Sequence, residues 1–290
     1  MGVSIKFMKS SKNKLYFIDG KYYTETNERN MEEPVMSVAL NYQLSILGQY
    51  SISPTPEIVT TLMTAINRET NEVFLPNIIN CQQIEIPSNK ITIRPNLGFV
   101  SQDQKYSIIM LNDRIDINYN RIPNIDIEMG GFYTLAKNAL SAIMRDLNLF
   151  ANRLAINVQM LLEFEDTDKL RDLGKDLIKG AQYYSDKVFC EWSTRINSQS
   201  SIQIADGCEK INVIAEISTA QAIQEQKPAI LYHIDINTLP LNTGMRFNYE
   251  SISPFVESAM PVARQLINDI ERLISDERRN DSKRSTGTKR

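Results

Sequence analysis

The tetrapeptide Ile-Asp-Ile-Asn occurs twice in the chain, at Ile115–Asn118 and at Ile234–Asn237. Each copy ends an apolar run whose polar residues alternate with apolar ones, as in a half-buried β-strand. A proline follows within a few residues, Pro123 or Pro240, and then a long amphipathic helical pattern. This repeated order predicts a fold with two similar halves, and it constrains architecture more than activity.

The composition is that of a globular chain. Of 290 residues, 42% are hydrophobic and 23% charged, which is enough for a sizeable core. The longest apolar stretches, such as Ile108–Leu111, are too short to span a bilayer. The first residues, Met-Gly-Val-Ser-Ile-Lys, contain no apolar signal region. We therefore expect a cytoplasmic protein without membrane contact. Its widely spaced cysteines (Cys81, Cys190 and Cys208) are expected to be free thiols.

An N-terminal hairpin precedes the two halves. Asp19-Gly20 lies between aromatic and β-branched residues, which is a strong signal for a two-residue hairpin turn. A polar stretch up to Glu33 follows. We assign residues 1–33 to this hairpin and its linker.

The first half spans residues 34–150. Alternation over Val35–Ile46 predicts a strand, and Thr55-Pro56-Glu57 provides the cap, first-turn proline and acidic residue of a helix. Closely spaced strands and a closing helix follow. Such closely spaced strands can pair only as an antiparallel meander. Those strands are predicted at Cys81–Ile86, Lys90–Val100, Tyr106–Leu111 and Arg114–Asn120, and the helix at Gly131–Phe150.

The second half, residues 151–276, repeats that order. It opens with a strand over Arg153–Phe164 and a short helix over Asp168–Lys179. Its further strands are predicted at Lys187–Asn197, Ser200–Ile204, Lys210–Ser218 and Ala229–Asn237. Ser253 and Pro254 begin the last helix. The predicted fold class is therefore α+β: two similar halves, each strand, helix, four antiparallel strands and helix, with the helices packed on one face of the sheet.

The C-terminus is predicted to be a disordered basic tail, residues 277–290. It is rich in lysine and arginine and has no apolar residue after Ile274, whereas the whole chain has a net charge of −3. An acidic body does not favour nonspecific binding to duplex nucleic acid. Contact with nucleic acid is expected only through the tail, and a merely solubilising tail is the alternative.

The order of elements resembles an uncharacterised, sporadically distributed family of bacterial proteins of similar length. Tyr106–Tyr119, Ile230–Asn237 with its following helix, and Asn152-Arg153 carry the resemblance. It covers Val35 to Ile274. The family has no catalytic residues to transfer, and its patchy distribution implies a mobile gene, such as a component of a phage-defence or toxin-neutralising complex.

His233 is the only histidine, and it shares a strand face with Asp235. The two could act as base and orienting carboxylate of a metal-dependent hydrolase or nuclease, although no Gly-x-Ser-x-Gly elbow supplies a nucleophile. The alternative is an ordinary polar strand face. A single histidine argues against the common multi-histidine zinc sites, so we expect neither metal nor cofactor.

The polar members of both tetrapeptides are candidate binding residues: Asp116, Asn118, Asp235 and Asn237. If the halves are related by a twofold axis, these side chains could line one groove for a peptide, a nucleotide or a cation. The alternative is two separate solvated strand faces. Trp192 and Arg195 could form a stacking surface, or Trp192 could pack into the core.

Taken together, these patterns favour a non-catalytic, intracellular binding protein. It would act through contacts with a protein partner or as a homo-oligomer. The enzyme and the tail-assisted nucleic-acid binder stay as alternatives.

Overall fold

The computed structural model describes residues 15–18, 21–24, 37–85, 90–121, 127–163, 170, 173–174, 187, 190–205, 207–222, 227–241 and 243–286. The chain divides into two compact units, Met1–Val35 and Met36–Arg290. In the first unit, strands β1 (Leu15–Ile18) and β2 (Lys21–Thr24) pair antiparallel, with Ile18 opposite Lys21. The two strands of the predicted hairpin are thus confirmed, while its Asp19-Gly20 turn lies outside the described residues.

The second unit is built on one antiparallel sheet of nine strands. Along the sheet their order is β4-β5-β6-β7-β3-β8-β11-β10-β9. Strand bounds are β3 Val38–Leu47, β4 Phe74–Glu85, β5 Lys90–Ser101, β6 Tyr106–Met110, β7 Arg114–Asn120, β8 Arg153–Glu163, β9 Ser193–Ile204, β10 Gly207–Ala222 and β11 Lys227–Thr238. The two tetrapeptide strands, β7 and β11, flank the central pair β3–β8.

Three helices complete the second unit within the described residues: α1 Pro56–Thr70, α2 Met129–Asp146 and α3 Ile252–Thr286. Thr55 caps α1 as predicted, because its hydroxyl accepts a hydrogen bond from the Ile58 amide. A single turn of 3-10 helix, Tyr249–Ser251, leads into α3. None of the described helices is long and apolar enough to cross a membrane.

α2 and α3 pack on the same face of the sheet. The ring of Tyr42 on β3 stacks on Phe132 of α2, with ring centroids 5.7 Å apart. The Tyr232 hydroxyl on β11 donates to Glu271 of α3, with 3.1 Å between the oxygens. Tyr42 and Tyr232 project to the same side of the sheet. Tyr42 is paired with Val158, and Val158 is paired with Ile234, so these three side chains share one side. Tyr232 shares it as well, because residues two apart on a strand point the same way. α1 packs mainly against α2 and reaches β4.

Two strand predictions need correction. The strand predicted at Cys81–Ile86 begins earlier, at Phe74, and is β4. The separate strands Lys187–Asn197 and Ser200–Ile204 are one strand, β9, so three described strands follow β8 in place of the predicted four. No Gly, Pro or turn pair occupies Ser198-Gln199, and the chain instead turns after Ile204, where Ala205 has φ 48°. The short helix predicted at Asp168–Lys179 lies largely outside the described residues, although Leu170, Leu173 and Gly174 are helical.

The backbone is also helical up to Thr286, where the sequence predicted a disordered tail from Glu277. The segment between Ile274 and Gly287 contains neither glycine nor proline, so nothing in it breaks a helix that packing has already nucleated. The four residues after Thr286 lie outside the described part of the chain.

Candidate binding face

The sheet presents a polar face on the side away from α2 and α3. On β3, Tyr42, Leu44 and Ile46 point toward the helices, so Gln43 and Ser45 must point away from them. Cross-strand pairing extends this side to the neighbouring strands. We call the set so placed the polar face: Gln43, Ser45, Arg114, Asp116, Asn118, Arg153, Asn157, Gln159, Asn212, Glu216, His233, Asp235 and Asn237.

A chain of side-chain hydrogen bonds crosses four strands of this face. Gln43 Nε2 donates to Asn118 Oδ1 at 2.9 Å, and Asn157 Nδ2 donates to Gln43 Oε1 at 3.2 Å. His233 Nε2 lies 3.0 Å from Asn157 Oδ1. Because that oxygen can only accept, the contact requires a proton on Nε2 of His233. The side chains therefore hold one another in fixed orientations from β7 to β11.

Asp116 is the best-paired acid of the polar face. Its side chain is 6% exposed. The Ser45 hydroxyl donates to Asp116 Oδ1 at 2.6 Å, and Arg114 Nη2 donates to the same oxygen at 2.7 Å. Arg114 Nε lies 2.7 Å from Oδ2, so the guanidinium engages both carboxylate oxygens. This pairing is what makes burial of the carboxylate tolerable.

A second cluster forms around Asn237, which is 1% exposed. Arg153 Nη2 donates to Asn237 Oδ1 at 2.7 Å, and Asn237 Nδ2 donates to Asp235 Oδ1 at 2.8 Å. Asn212 Nδ2 adds a longer bond of 3.3 Å to Asn237 Oδ1. The amide of Asn237 thereby joins the positive Arg153 to the negative Asp235.

Tyr133 of α2 bonds to the backbone of the two central strands from the opposite side of the sheet. The Tyr133 hydroxyl donates to the Asn157 carbonyl oxygen at 2.8 Å and lies 3.3 Å from that of Gln43. Burial raises the pKa of Tyr133 well above its ordinary value, so the hydroxyl stays a donor. Tyr133 thereby fixes β3 and β8 at the position where the side chains of Gln43 and Asn157 are hydrogen-bonded on the polar face.

The predicted Asp/Asn pairs share this face without touching. Asp116 is opposite Ser45, and Asn237 is opposite Ala155, which is in turn opposite Ser45. Three strand spacings separate the two pairs, about 14 Å. The residues between them, Gln43, Ser45 and Asn157, were missed by the sequence reasoning. Their signal was the polar position at every second residue inside otherwise apolar strands.

The structure gives no support to a catalytic dyad at His233. Its ring nitrogen contacts Asn157, and no hydrogen bond joins it to Asp235, whose partner is Asn237. Within the described ranges, no group of three His, Cys, Asp or Glu side chains could hold a metal ion.

Trp192 and Arg195 do not form one surface. Trp192 is buried, and its indole Nε1 donates to the Leu170 carbonyl oxygen at 3.1 Å. Its ring lies so close to Gly174 that a Cβ there would clash with Trp192 Cδ1. This geometry favours the packing interpretation. Arg195 is exposed on β9, with its Nε 3.8 Å from Glu216 Oε2 of β10.

Comparison of the chain with protein-family models, with curated proteins and with solved structures finds no match.

Proposed function

We propose that this chain is a non-catalytic binding protein whose recognition surface is the polar face, and that its partner is another protein. One observation carries the proposal: side chains of β7, β3, β8 and β11 form a continuous hydrogen-bonded array on the side of the sheet opposite α2 and α3. An array fixed in advance loses little conformational entropy on binding.

The charges of this face favour a protein partner over a nucleic acid. Arg114 is paired with Asp116, and Arg195 stands beside Glu216. Phosphate binding requires clustered, uncompensated cations. Arg153 is linked to Asp235 through the side-chain amide of Asn237. Apart from His233, the remaining donors and acceptors are amides and hydroxyls, which match the polar groups of a protein surface.

The two tetrapeptides support a further proposal, that the second unit consists of two related halves. Leu44 and Ile156 are directly opposite each other on the central strands. A twofold axis at that pair exchanges Ser45 with Asn157, whose partners are Asp116 and Asp235. Such an axis would superpose the two Ile-Asp-Ile-Asn copies residue for residue, which supports the proposal. In this arrangement the binding face has two similar sides that meet at β3 and β8.

The biological setting follows from the family resemblance alone. We propose an intracellular, cytoplasmic role in a multi-protein complex, with phage defence or toxin neutralisation as the process. Its basis is the implied mobility of the gene, and no residue of the polar face specifies the process.

The test is co-expression of the full chain with the products of flanking genes, followed by size-exclusion chromatography. Gln159 stands on the polar face opposite His233, and its side chain makes no hydrogen bond to another described residue. Gln159→Arg adds a long charged side chain there without removing a bond of the array. We expect it to weaken the complex at least tenfold in Kd.

Gln265→Arg is the matched control, since Gln265 is exposed on α3. It should leave the complex intact. If Gln265→Arg releases the partner and Gln159→Arg does not, the recognition surface is on the helices and the proposal fails. Metal-dependent turnover that is lost in His233→Ala would instead favour the hydrolase alternative.

A further inference from the structure

The two outer strands of the nine-stranded sheet differ in how their free edges are protected. Outer strands expose backbone donors and acceptors, and natural proteins block them with proline, lysine or a bulge. β4, at one end, contains Pro76, which interrupts its row of backbone donors. β9, at the other end, pairs only with β10 among the described strands and contains neither proline nor lysine. Its twelve residues carry a single charge, Arg195.

The outward-facing backbone groups of β9 can be identified from its ladder with β10. The Thr219 amide donates to the Trp192 carbonyl oxygen at 3.0 Å, so that pair is hydrogen-bonded across the two strands. Backbone groups alternate in direction along an antiparallel strand. The amide of Ile196 therefore points toward β10, and that of Gln199 points away from it, to the free edge.

The side chains of β9 are largely exposed from Arg195 to Ser201. Ile196 is the large apolar one among them, at 61% exposed. An isolated exposed isoleucine is ordinary. Ser258 of α3 donates to the outward carbonyl oxygen of Gln203 at 2.8 Å and so protects that end of β9. Ile196 stands earlier along the strand, where no described residue outside β10 is hydrogen-bonded to the backbone edge.

We propose that β9 pairs antiparallel with β9 of a second copy of this chain, in a register centred on Ile196. In this register Ile196 meets its own copy as a non-hydrogen-bonded pair, the closest kind of cross-strand contact. Gln199 then faces Ser193 of the other copy, and Arg195 faces Asn197. Each Arg195 retains Glu216 of its own sheet, so the pairing adds no uncompensated charge. The homodimer has one continuous sheet, and the polar faces of the two copies stand side by side.

The first test is the mass of the full chain in solution by light scattering after size-exclusion chromatography. We expect twice the monomer mass of 33.2 kDa. Gln199→Pro places a ring on an outward amide, so it blocks the edge and leaves the bonds to β10 intact. We expect this variant to be monomeric, with unchanged circular dichroism. A monomeric wild-type chain, or a dimer that persists in Gln199→Pro, would overturn the proposal.

The second test does not depend on how the proline variant folds. In a background with Cys81, Cys190 and Cys208 replaced by serine, Ile196→Cys should form a disulfide-linked dimer on mild oxidation. A non-hydrogen-bonded pair has Cα atoms about 4.5 Å apart, within disulfide range. Gln199→Cys is the matched control, because its two copies would be about 20 Å apart along the strands. Equal cross-linking of the two variants contradicts this register. A monomer that binds a flanking gene product through β9 would show that a partner strand, and not a second copy, occupies the edge.

Discussion

The hydrogen bond from Ser45 to Asp116 gives the sharpest test of how much the polar face contributes to the free energy of unfolding. Ser45 is 1% exposed and donates to a buried carboxylate at 2.6 Å, the range of a charge-assisted hydrogen bond. Hydrogen bonds to charged groups contribute about 1.5–3 kcal/mol. Asp116 keeps Arg114 when Ser45 is removed, so the carboxylate is not left without a partner. We therefore expect Ser45→Ala to lower the free energy of unfolding by about 1.5–2 kcal/mol, in the lower part of that range.

The assay is urea unfolding followed by the fluorescence of Trp192, the sole tryptophan, with thermal unfolding in parallel. For a unit of this size, such a loss lowers Tm by about 3–8 °C. Ser107→Ala is the matched control on the same face. The Ser107 hydroxyl only accepts a 3.3 Å bond from exposed Asn120, and its loss should cost about 0.5 kcal/mol or less.

A double-mutant cycle with Asp116→Ala separates this bond from general effects of the substitutions. If Ser45 acts through Asp116, Ser45→Ala costs little in the Asp116→Ala background, and the coupling energy is about 1 kcal/mol or more. Additive effects, or equal losses for Ser45→Ala and Ser107→Ala, would refute the reasoning.

Three further substitutions test the stability of the second unit. Gly98→Ala should cost about 1–3 kcal/mol because its Cβ would lie 2.9 Å from the Ile108 carbonyl oxygen. Gly131→Ala, whose Cβ meets nothing within 4 Å, should instead stabilise α2 by up to about 0.5–1 kcal/mol, and chemical denaturation of both variants checks the contrast. Hydrogen bonding from Arg145 holds the pKa of Glu69 below its ordinary 4.5. The ionised Glu69 therefore stabilises the fold above pH 4.5, and this stabilisation is lost as the pH falls through the lowered pKa of the folded state. The difference in unfolding free energy between the wild type and Glu69→Gln should therefore shrink below pH 4.5, and a difference that persists there contradicts the assignment.

Local patterns in the sequence predicted most of the strands and helices. β7 was predicted with the bounds that the structure shows, and β8 to within one residue. Strand alternation is a local property, so these strands could be recognised from a few residues each. β9 was divided wrongly because its exposed Ser and Gln residues carry no apolar alternation.

The pairing of β3 with β8 could not be predicted in this way. These strands are separated by most of the first half of the fold, and no local signal indicates that they are neighbours. Their pairing is what brings Gln43 to Asn157. The sequence therefore identified the polar members of each Ile-Asp-Ile-Asn copy, but not the residues that connect them.

His233 offers the most direct measurement of the central claim, that the polar face is the recognition surface. It is the only histidine, and it stands near the middle of that face. Limited modification with diethyl pyrocarbonate, read by mass spectrometry on the His233 peptide, compares the free chain with its co-purified complex. We predict that modification of His233 slows at least fivefold in the complex, because the partner covers the face. An unchanged rate in a saturated complex would show that the partner binds elsewhere.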